Sequence, residues 1–198
     1  MKTEKTFVMI KPDGIQRSLV GEIIERFERS GLKIVAMKMI VPSGEMVRKH
    51  YSLDPEWMRK TGEKTIAGYI KKGLKPPTDD PIESSTIVLN NLVKYMSCGP
   101  VVALILQGVH SVGIVRKLVG GTEPLTSDVG TIRGDYVLDS YQLSDIDGRA
   151  VRNLVHASGS VEEAKNEINL WFKDHEVIKY RHIQDEILYD ADLKGILE

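Results

Sequence analysis

The stretch GPVVALILQG, residues 99–108, is a nearly continuous apolar run bounded by glycines. Such a run is typical of a strand that is buried on both faces of a sheet, and we predict it to be the most buried strand of the chain. Apolar residues at helical spacing precede it in STIVLNNLVKYM, residues 85–96, and follow it in SVGIVRKLVGG, residues 111–121. The run is therefore predicted to be a strand between two helices.

The first forty residues predict another unit of this kind. KTFVMI, residues 5–10, is rich in strand formers and ends in the turn sequence Lys11-Pro12-Asp13-Gly14. Apolar residues at helical spacing from Val20 to Phe27 predict an amphipathic helix that ends at Gly31. LKIVAMKMIV, residues 32–41, predicts the next strand, and a short helix follows from about Ser43 to His50.

The remaining elements complete a split βαβ repeat. DYVL, residues 135–138, predicts a further strand, and Ser160-Val161-Glu162-Glu163 has the S-x-x-E form of a capping box that begins a last helix. This order predicts an α+β, ferredoxin-like fold, in which a four-stranded antiparallel sheet has helices packed on one face.

Two polar stretches interrupt this plan. Residues 52–85 contain Pro-Pro and Asp-Asp-Pro and could hold one short helix, and residues 139–150 are rich in turn formers. We interpret both as insertions on the surface of a single domain that spans residues 1–198.

Composition narrows the class of protein. The chain has 198 residues, of which 41% are hydrophobic and 28% charged, and its net charge is −1. This balance is typical of a globular protein and lacks the basic surplus of a nonspecific nucleic-acid binder. Cys98 is the single cysteine, which excludes an internal disulfide and a cysteine-built metal site. The N-terminus resembles neither a signal peptide nor a membrane anchor, so we expect a cytoplasmic protein without a membrane partner.

The stretch NLVHASGSVEEAKNEI, residues 153–168, places His156 at the end of a short apolar run, followed by three small residues. Small neighbours leave room for a large substrate beside the ring, and the N-terminus of the following helix favours anions. Imidazole near neutral pH is mostly an unprotonated nucleophile. Glu167, two turns into the helix, could reach back to His156 or Ser158 and fix the ring tautomer.

Three cations stand in or beside loops, namely Lys11, Arg116 and Arg133. Each alone is typical of a solvated charge, but together they indicate phosphate contacts, because positioned positive charge is what assists phosphoryl transfer. Residues 133–135 also match the integrin-binding tripeptide RGD, although nothing else in the sequence indicates secretion.

Five segments, in order along nearly the whole chain, resemble the nucleoside diphosphate kinases: residues 7–38, 92–108, 115–124, 130–136 and 152–172. The resemblance implies transfer of the γ-phosphate of a nucleoside triphosphate, typically ATP, to a nucleoside diphosphate. It implies a ping-pong mechanism through a phosphohistidine, which maintains nucleoside triphosphate pools, with Mg2+ carried on the nucleotide and no metal bound by the protein alone. It also implies a homo-oligomer, usually a hexamer, with residues 120–131 in trimer contacts.

The resemblance also implies a role for individual residues. His156 matches the phosphorylated histidine, Glu167 the carboxylate that orients it, and Ser158 the supporting hydroxyl. The remaining matches are residues that contact the nucleotide. Those that bind phosphates are Lys11, Arg116, Thr122 and Arg133, and those that contact the sugar hydroxyls are Lys11 and Asn153. Leu92 matches a residue that packs against the base, and Tyr51 matches a tyrosine near the histidine. Val88 stands where the family stacks the base on phenylalanine, so we expect weaker stacking or an aromatic residue from the insertion, such as Tyr69.

Two alternatives remain at this stage. One is a nucleotide-binding regulatory module on the same sheet with a silent His156, and the other is a phosphohistidine relay protein that transfers to a protein partner. Base selectivity is expected to be broad, because phosphate and sugar contacts are common to all nucleotides.

Overall fold

A computed structural model describes residues 3–52, 54 and 56–189. Its four strands form one antiparallel sheet in the order β2-β3-β1-β4. Their bounds are Glu4–Ile10 (β1), Lys33–Ile40 (β2), Val101–Gly108 (β3) and Val155–Ala157 (β4). The two central strands, β1 and β3, pair from Glu4 opposite Gly108 to Ile10 opposite Val102. The predicted four-stranded α+β fold is confirmed.

Helices surround this sheet. The bounds of the ten helices among the described residues are α1 Pro12–Gln16, α2 Val20–Arg29, α3 Gly44–Tyr51, α4 Trp57–Lys71, α5 Pro81–Met96, α6 Ser111–Val119, α7 Ile132–Tyr136, α8 Tyr141–Ile146, α9 Val161–Trp171 and α10 Gln184–Leu188. Short 3₁₀ turns lie at Pro124–Thr126 and Asp174–Glu176. No helix in the described part of the chain is long and apolar enough to cross a membrane.

Helices cover both faces of the sheet, so the prediction of helices on one face is wrong. On one face, Val8 and Leu104 pack with Phe27 of α2 and Val115 of α6. On the other, alternate strand residues such as Phe7 pack with residues of α3, α5 and α9. The period-2 alternation of a strand sends neighbouring residues to opposite faces. Two covered faces therefore require apolar residues at every position of β3, which explains its continuous apolar run.

The fourth strand is not DYVL, and that prediction is also wrong. Thr131 Oγ1 accepts a hydrogen bond from Gly134 N at 3.0 Å, and this cap begins the short helix α7 across the first part of the segment. Leu138 is fully exposed, although the strand prediction counted it among the apolar residues. The edge position beside β1 is taken instead by Val155–Ala157, which places His156 in the sheet.

The long insertion contains more helix than predicted. Its main element is α4, fifteen residues long, instead of one short helix, and α4 packs against α5. The approach is close at Gly62, where a Cβ would lie 1.8 Å from the carbonyl oxygen of Pro81, so only glycine fits. The shorter insertion forms α8, and Lys72 Nζ lies 2.7 Å from Asp145 Oδ2. The two insertions therefore touch each other.

Candidate active site

His156 and Glu167 meet because β4 and α9 are consecutive and pack together. His156 lies opposite Met9 of β1, and the chain leaves the sheet after Ala157. Ser160 Oγ then accepts a hydrogen bond from Glu163 N at 3.1 Å and begins α9. Glu167 is 2% exposed, so its carboxylate lies beneath the strand and not on a solvated helix face.

The carboxylate of Glu167 fixes the tautomer of His156. Its Oε1 lies 2.7 Å from His156 Nε2, and its Oε2 accepts a hydrogen bond from Ser158 Oγ at 2.5 Å. Because a carboxylate oxygen accepts, the neutral ring carries its proton on Nε2 and a lone pair on Nδ1. Among the described residues Nδ1 has no hydrogen-bond partner, and the atom is accessible to solvent. The unprotonated nitrogen is therefore available to a ligand.

Burial controls the charges of this pair. Desolvation and, after it, the charge of Lys11 lower the pKa of His156, so the imidazole is neutral at physiological pH. Burial raises the pKa of Glu167, while His50 and the hydrogen bond from Ser158 act in the opposite direction. An uncharged ring with a fixed proton is suited to nucleophilic attack.

His50 is a member of the site that the sequence gave no reason to select. Trp171 Nε1 donates a hydrogen bond to His50 Nδ1 at 3.2 Å. An indole nitrogen only donates, so the neutral ring of His50 carries its proton on Nε2, which lies 3.6 Å from Glu167 Oε1. Burial, followed by the charge of His156, lowers the pKa of His50 to about 3. His50 thus presents an N–H group to the same carboxylate.

Lys11 and Asn153 form a buried pair beside His156. Lys11 Nζ donates to Asn153 Oδ1 at 2.5 Å, and Asn153 Nδ2 donates to the carbonyl oxygen of Thr122 at 2.9 Å. Burial, followed by the charge of Arg133, lowers the pKa of Lys11 to about 7. An ammonium group in this position is poorly solvated, so an anionic ligand would interact with it strongly.

Arg133 is held mainly by backbone carbonyl groups. Its guanidinium donates to the carbonyl oxygens of Asn153 at 3.1 Å, Gly120 at 3.1 Å, Gly121 at 2.7 Å and Val155 at 2.5 Å. Arginine has five N–H groups, so one remains for a ligand. Arg133 therefore ties the loop at residues 120–121 to β4, and it lies in a helix, not before a strand as predicted.

A cleft of about 750 Å³ brings together the residues predicted to bind a nucleotide. This volume is within the ordinary range for small-molecule sites. The predicted residues that line it are Lys11, Tyr51, Val88, Leu92, Arg116, Thr122, Arg133, Asn153, His156 and Glu167. Arg116 and Thr122 are exposed in it, whereas Tyr51, Val88 and Leu92 are half-buried. Ser158 is buried behind the cleft and reaches it only through Glu167.

Comparison with known proteins identifies the group to which this site belongs. A family model described as nucleoside diphosphate kinase matches residues 4–59 and 82–177. The chain belongs to the nucleoside diphosphate kinase family. As a member of this family, it is a phosphotransferase that acts on nucleotides. The sequence-based assignment of family and enzyme class is confirmed.

Individual relatives agree with the family match. A nucleoside diphosphate kinase from Pyrobaculum aerophilum is 49% identical over 183 residues, which cover 90% of this chain and all of the relative. A crystal structure of an NDP kinase from the same organism has a TM-score of 0.87 at 48% identity, over 90% of this chain and 100% of that one. A structure of the Borrelia burgdorferi enzyme, a transition-state mimic with bound vanadate and ADP, has a TM-score of 0.76 at 34% identity, over 93% of this chain and 96% of that one.

The family match omits residues 60–81, yet these residues form part of the cleft. Side chains spaced along one face of α4 line it, namely Trp57, Thr61, Lys64, Thr65 and Tyr69, and so does Lys72, which follows the helix. Tyr141, Ser144 and Asp145 line it from α8. The sequence predicted a helix in residues 52–85 but did not indicate which side of the molecule it would cover. The insertions form one wall of the cleft.

Proposed function

We propose that His156 Nδ1 attacks the γ-phosphorus of a nucleoside triphosphate and carries the phosphoryl group to a nucleoside diphosphate. The observation that supports this most directly is the hydrogen bond between His156 Nε2 and Glu167 Oε1, because it leaves Nδ1 unprotonated and open to the cleft. The Nδ1–P bond forms as the bond between the γ-phosphorus and its bridging oxygen breaks, and the diphosphate leaves. A terminal oxygen of the acceptor diphosphate then attacks phosphorus, and the Nδ1–P bond breaks.

The buried carboxylate stabilises the intermediate. The ring becomes cationic when Nδ1 bonds to phosphorus, and Glu167 Oε1 accepts its Nε2–H at 2.7 Å. A charge-assisted hydrogen bond of this kind is about twice as strong as a neutral one. Ser158 holds the second carboxylate oxygen, so the acceptor is fixed before the reaction begins.

The nucleotide is proposed to lie along the cleft with its phosphates at Lys11, Arg116, Thr122 and Arg133. Lys11 and Asn153 would contact the sugar hydroxyls, and Val88 and Leu92 of α5 would contact the base. Exposed Arg116 is free to move towards a phosphate, whereas Arg133 offers one remaining N–H group. The same site would bind the donor and the acceptor in turn, which gives ping-pong kinetics.

Magnesium is proposed to enter with the nucleotide, where it would neutralise phosphate charge. Three carboxylates of the cleft are already engaged: Glu123 with Tyr141 N, Asp145 with Lys72 and Glu163 with Gly159 N. Atoms of His50, His156 and Glu167 lie within 4.8 Å of one another, but Mg2+ prefers oxygen ligands and usually binds substrate phosphates. These side chains do not form a set of oxygen ligands suited to Mg2+, which supports a metal held by the phosphates of the nucleotide.

The direct test uses ATP labelled on the γ-phosphate, with GDP as acceptor. The parent protein should acquire acid-labile, base-stable label and then form GTP, with parallel lines in double-reciprocal plots. His156→Ala should form neither, while His175→Ala, which changes an exposed histidine, should behave as the parent. A parent that acquires no label would be a regulatory module. A labelled parent that does not pass phosphate to GDP would be a relay protein.

A cytoplasmic hexamer is proposed as the assembled form. Exposed apolar side chains support an interface at residues 120–131 and beside it, namely Leu125, Val129 and Leu138. Light scattering should give a mass near six chains of 22.2 kDa. A mass near one chain would end this proposal.

A further inference from the structure

Tyr141, the first residue of α8, is held firmly in the wall of the cleft. Ser140 Oγ accepts a hydrogen bond from Leu143 N at 3.1 Å and caps the helix. Tyr141 N donates to Glu123 Oε1 at 3.1 Å. Both ends of the first turn are thus fixed, so the direction in which the side chain leaves the backbone is set by the fold.

The ring of Tyr141 packs beneath the long insertion. Lys64 Nζ lies 5.8 Å and Lys72 Nζ 5.9 Å from its centroid, within the range of cation–π attraction. Lys72 is itself held by Asp145 at 2.7 Å. The ring therefore lies between α4 and the loop that carries Thr122.

Tyr141 lines the cleft together with Thr122 and Arg133. Burial, followed by the charge of Glu123, raises the pKa of this hydroxyl, while Arg133 and the neighbouring Thr122 side chain act in the opposite direction. A phenolic hydroxyl both donates and accepts, so that of Tyr141 can donate its proton to a ligand. Among the described residues this hydroxyl has no acceptor, and its oxygen is accessible to solvent. An oriented donor beside Thr122 and Arg133 is suited to an anionic acceptor.

We propose that Tyr141 is a substrate-binding residue whose hydroxyl donates a hydrogen bond to a phosphate oxygen of the nucleotide, beside Thr122. This assignment rests on the proposed function and gives the 139–150 insertion a role in it. Because the donor contacts the phosphates, it acts on every nucleotide irrespective of the base. It strengthens binding of donor and acceptor alike and leaves the phosphoryl-transfer step to His156.

Tyr141→Phe removes the hydroxyl and keeps the ring. A hydrogen bond to a charged group predicts a rise of about tenfold in KM for ATP and for GDP, with kcat and the melting temperature unchanged. The matched control is Tyr136→Phe. It removes a hydroxyl that lies outside the cleft and donates to Glu22 Oε2 at 3.1 Å, so its KM values should equal those of the parent. KM values of Tyr141→Phe within twofold of the parent would overturn the proposal.

Inorganic pyrophosphate separates a phosphate contact from a contact to sugar or base. Its inhibition constant should rise in Tyr141→Phe by the same factor as the KM for ATP. A rise for ATP without one for pyrophosphate would overturn the assignment to phosphate, and a fall in melting temperature with equal KM would show a structural residue only. Labelling of His156 at saturating ATP should occur in both proteins. Its absence from the parent would mean that the proposed function itself fails.

Discussion

Nucleotide binding should be coupled to proton uptake at Lys11. Burial and neighbouring cations lower its pKa from 10.5 to about 7, which corresponds to a cost of about 5 kcal/mol for keeping the charge, at 1.36 kcal/mol per unit. Between these two pH values the unfolded chain binds more protons than the native one, so stability rises with pH across that window. A bound phosphate reverses this preference, because its charge favours the ammonium form.

The expected uptake follows from these values. At pH 8, about nine tenths of Lys11 is unprotonated in the free protein, so Lys11 should take up about 0.9 proton when ADP binds, and at pH 6 about 0.1. Phosphate contributes little at pH 8, because its second pKa is about 6. Above pH 7 the dissociation constant for ADP should therefore increase about tenfold for each pH unit until the pKa of bound Lys11 is reached.

Titration calorimetry of ADP binding, in two buffers with different ionisation enthalpies, measures this uptake. Lys11→Arg should abolish it, since a guanidinium does not deprotonate. Lys5→Arg, at an exposed position of β1, the strand that precedes Lys11, should leave it unchanged. An uptake below about 0.2 proton at pH 8 in the parent, or full uptake in Lys11→Arg, would refute the reasoning.

Three further outcomes are expected. Glu167→Gln should slow labelling of His156 by ten- to about a hundredfold without weakening ADP binding, because a neutral acceptor loses about 1.5–3 kcal/mol of charge-assisted hydrogen bonding; equal rates would contradict this role. Gly62→Ala should destabilise the fold by about 1–3 kcal/mol in urea titrations, because its Cβ meets the backbone of Pro81, whereas Gly68→Ala on the same helix meets nothing within 4 Å and should be neutral or stabilising. Purine and pyrimidine diphosphates should differ less than about a hundredfold in kcat/KM, roughly 2.7 kcal/mol, and a larger ratio would indicate base recognition by the insertion.

The spacing of apolar residues along the sequence predicted most of the sheet, because burial of one or both faces of a strand or helix determines that spacing. The prediction at residues 135–138 was wrong because a short apolar run has the same composition in a strand and after a capped turn. What distinguishes them is the side-chain cap at Thr131, together with Arg133, which binds carbonyl groups up to 22 residues away. Such long-range contacts leave no periodic signal in the sequence.

The site could be predicted only where one short segment contains the chemistry. His156, Ser158 and Glu167 lie within twelve positions, so a strand followed by a capped helix brings them together. His50 joins them through Trp171, a partner 121 positions away, and a histidine near the end of an amphipathic helix indicates no role by itself. The cleft-facing side of α4 was equally hidden, because its polar residues are as typical of a solvated surface as of a ligand site.

The two ends of the cleft differ in how they are built. At the end proposed to bind phosphates, Arg133 donates four of its N–H groups to backbone carbonyls, so its positive charge is held in place before a ligand arrives. Lys11 is fixed to Asn153 and gains its full charge when the ligand binds. At the other end, Val88 offers no aromatic face, and α4 supplies hydroxyl, ammonium and aromatic groups. Phosphoryl transfer depends on the first arrangement, because its charges must already be placed when the phosphorus is attacked. We therefore expect changes in the insertion to alter nucleotide affinity and base preference while the chemistry proposed at His156 stays the same.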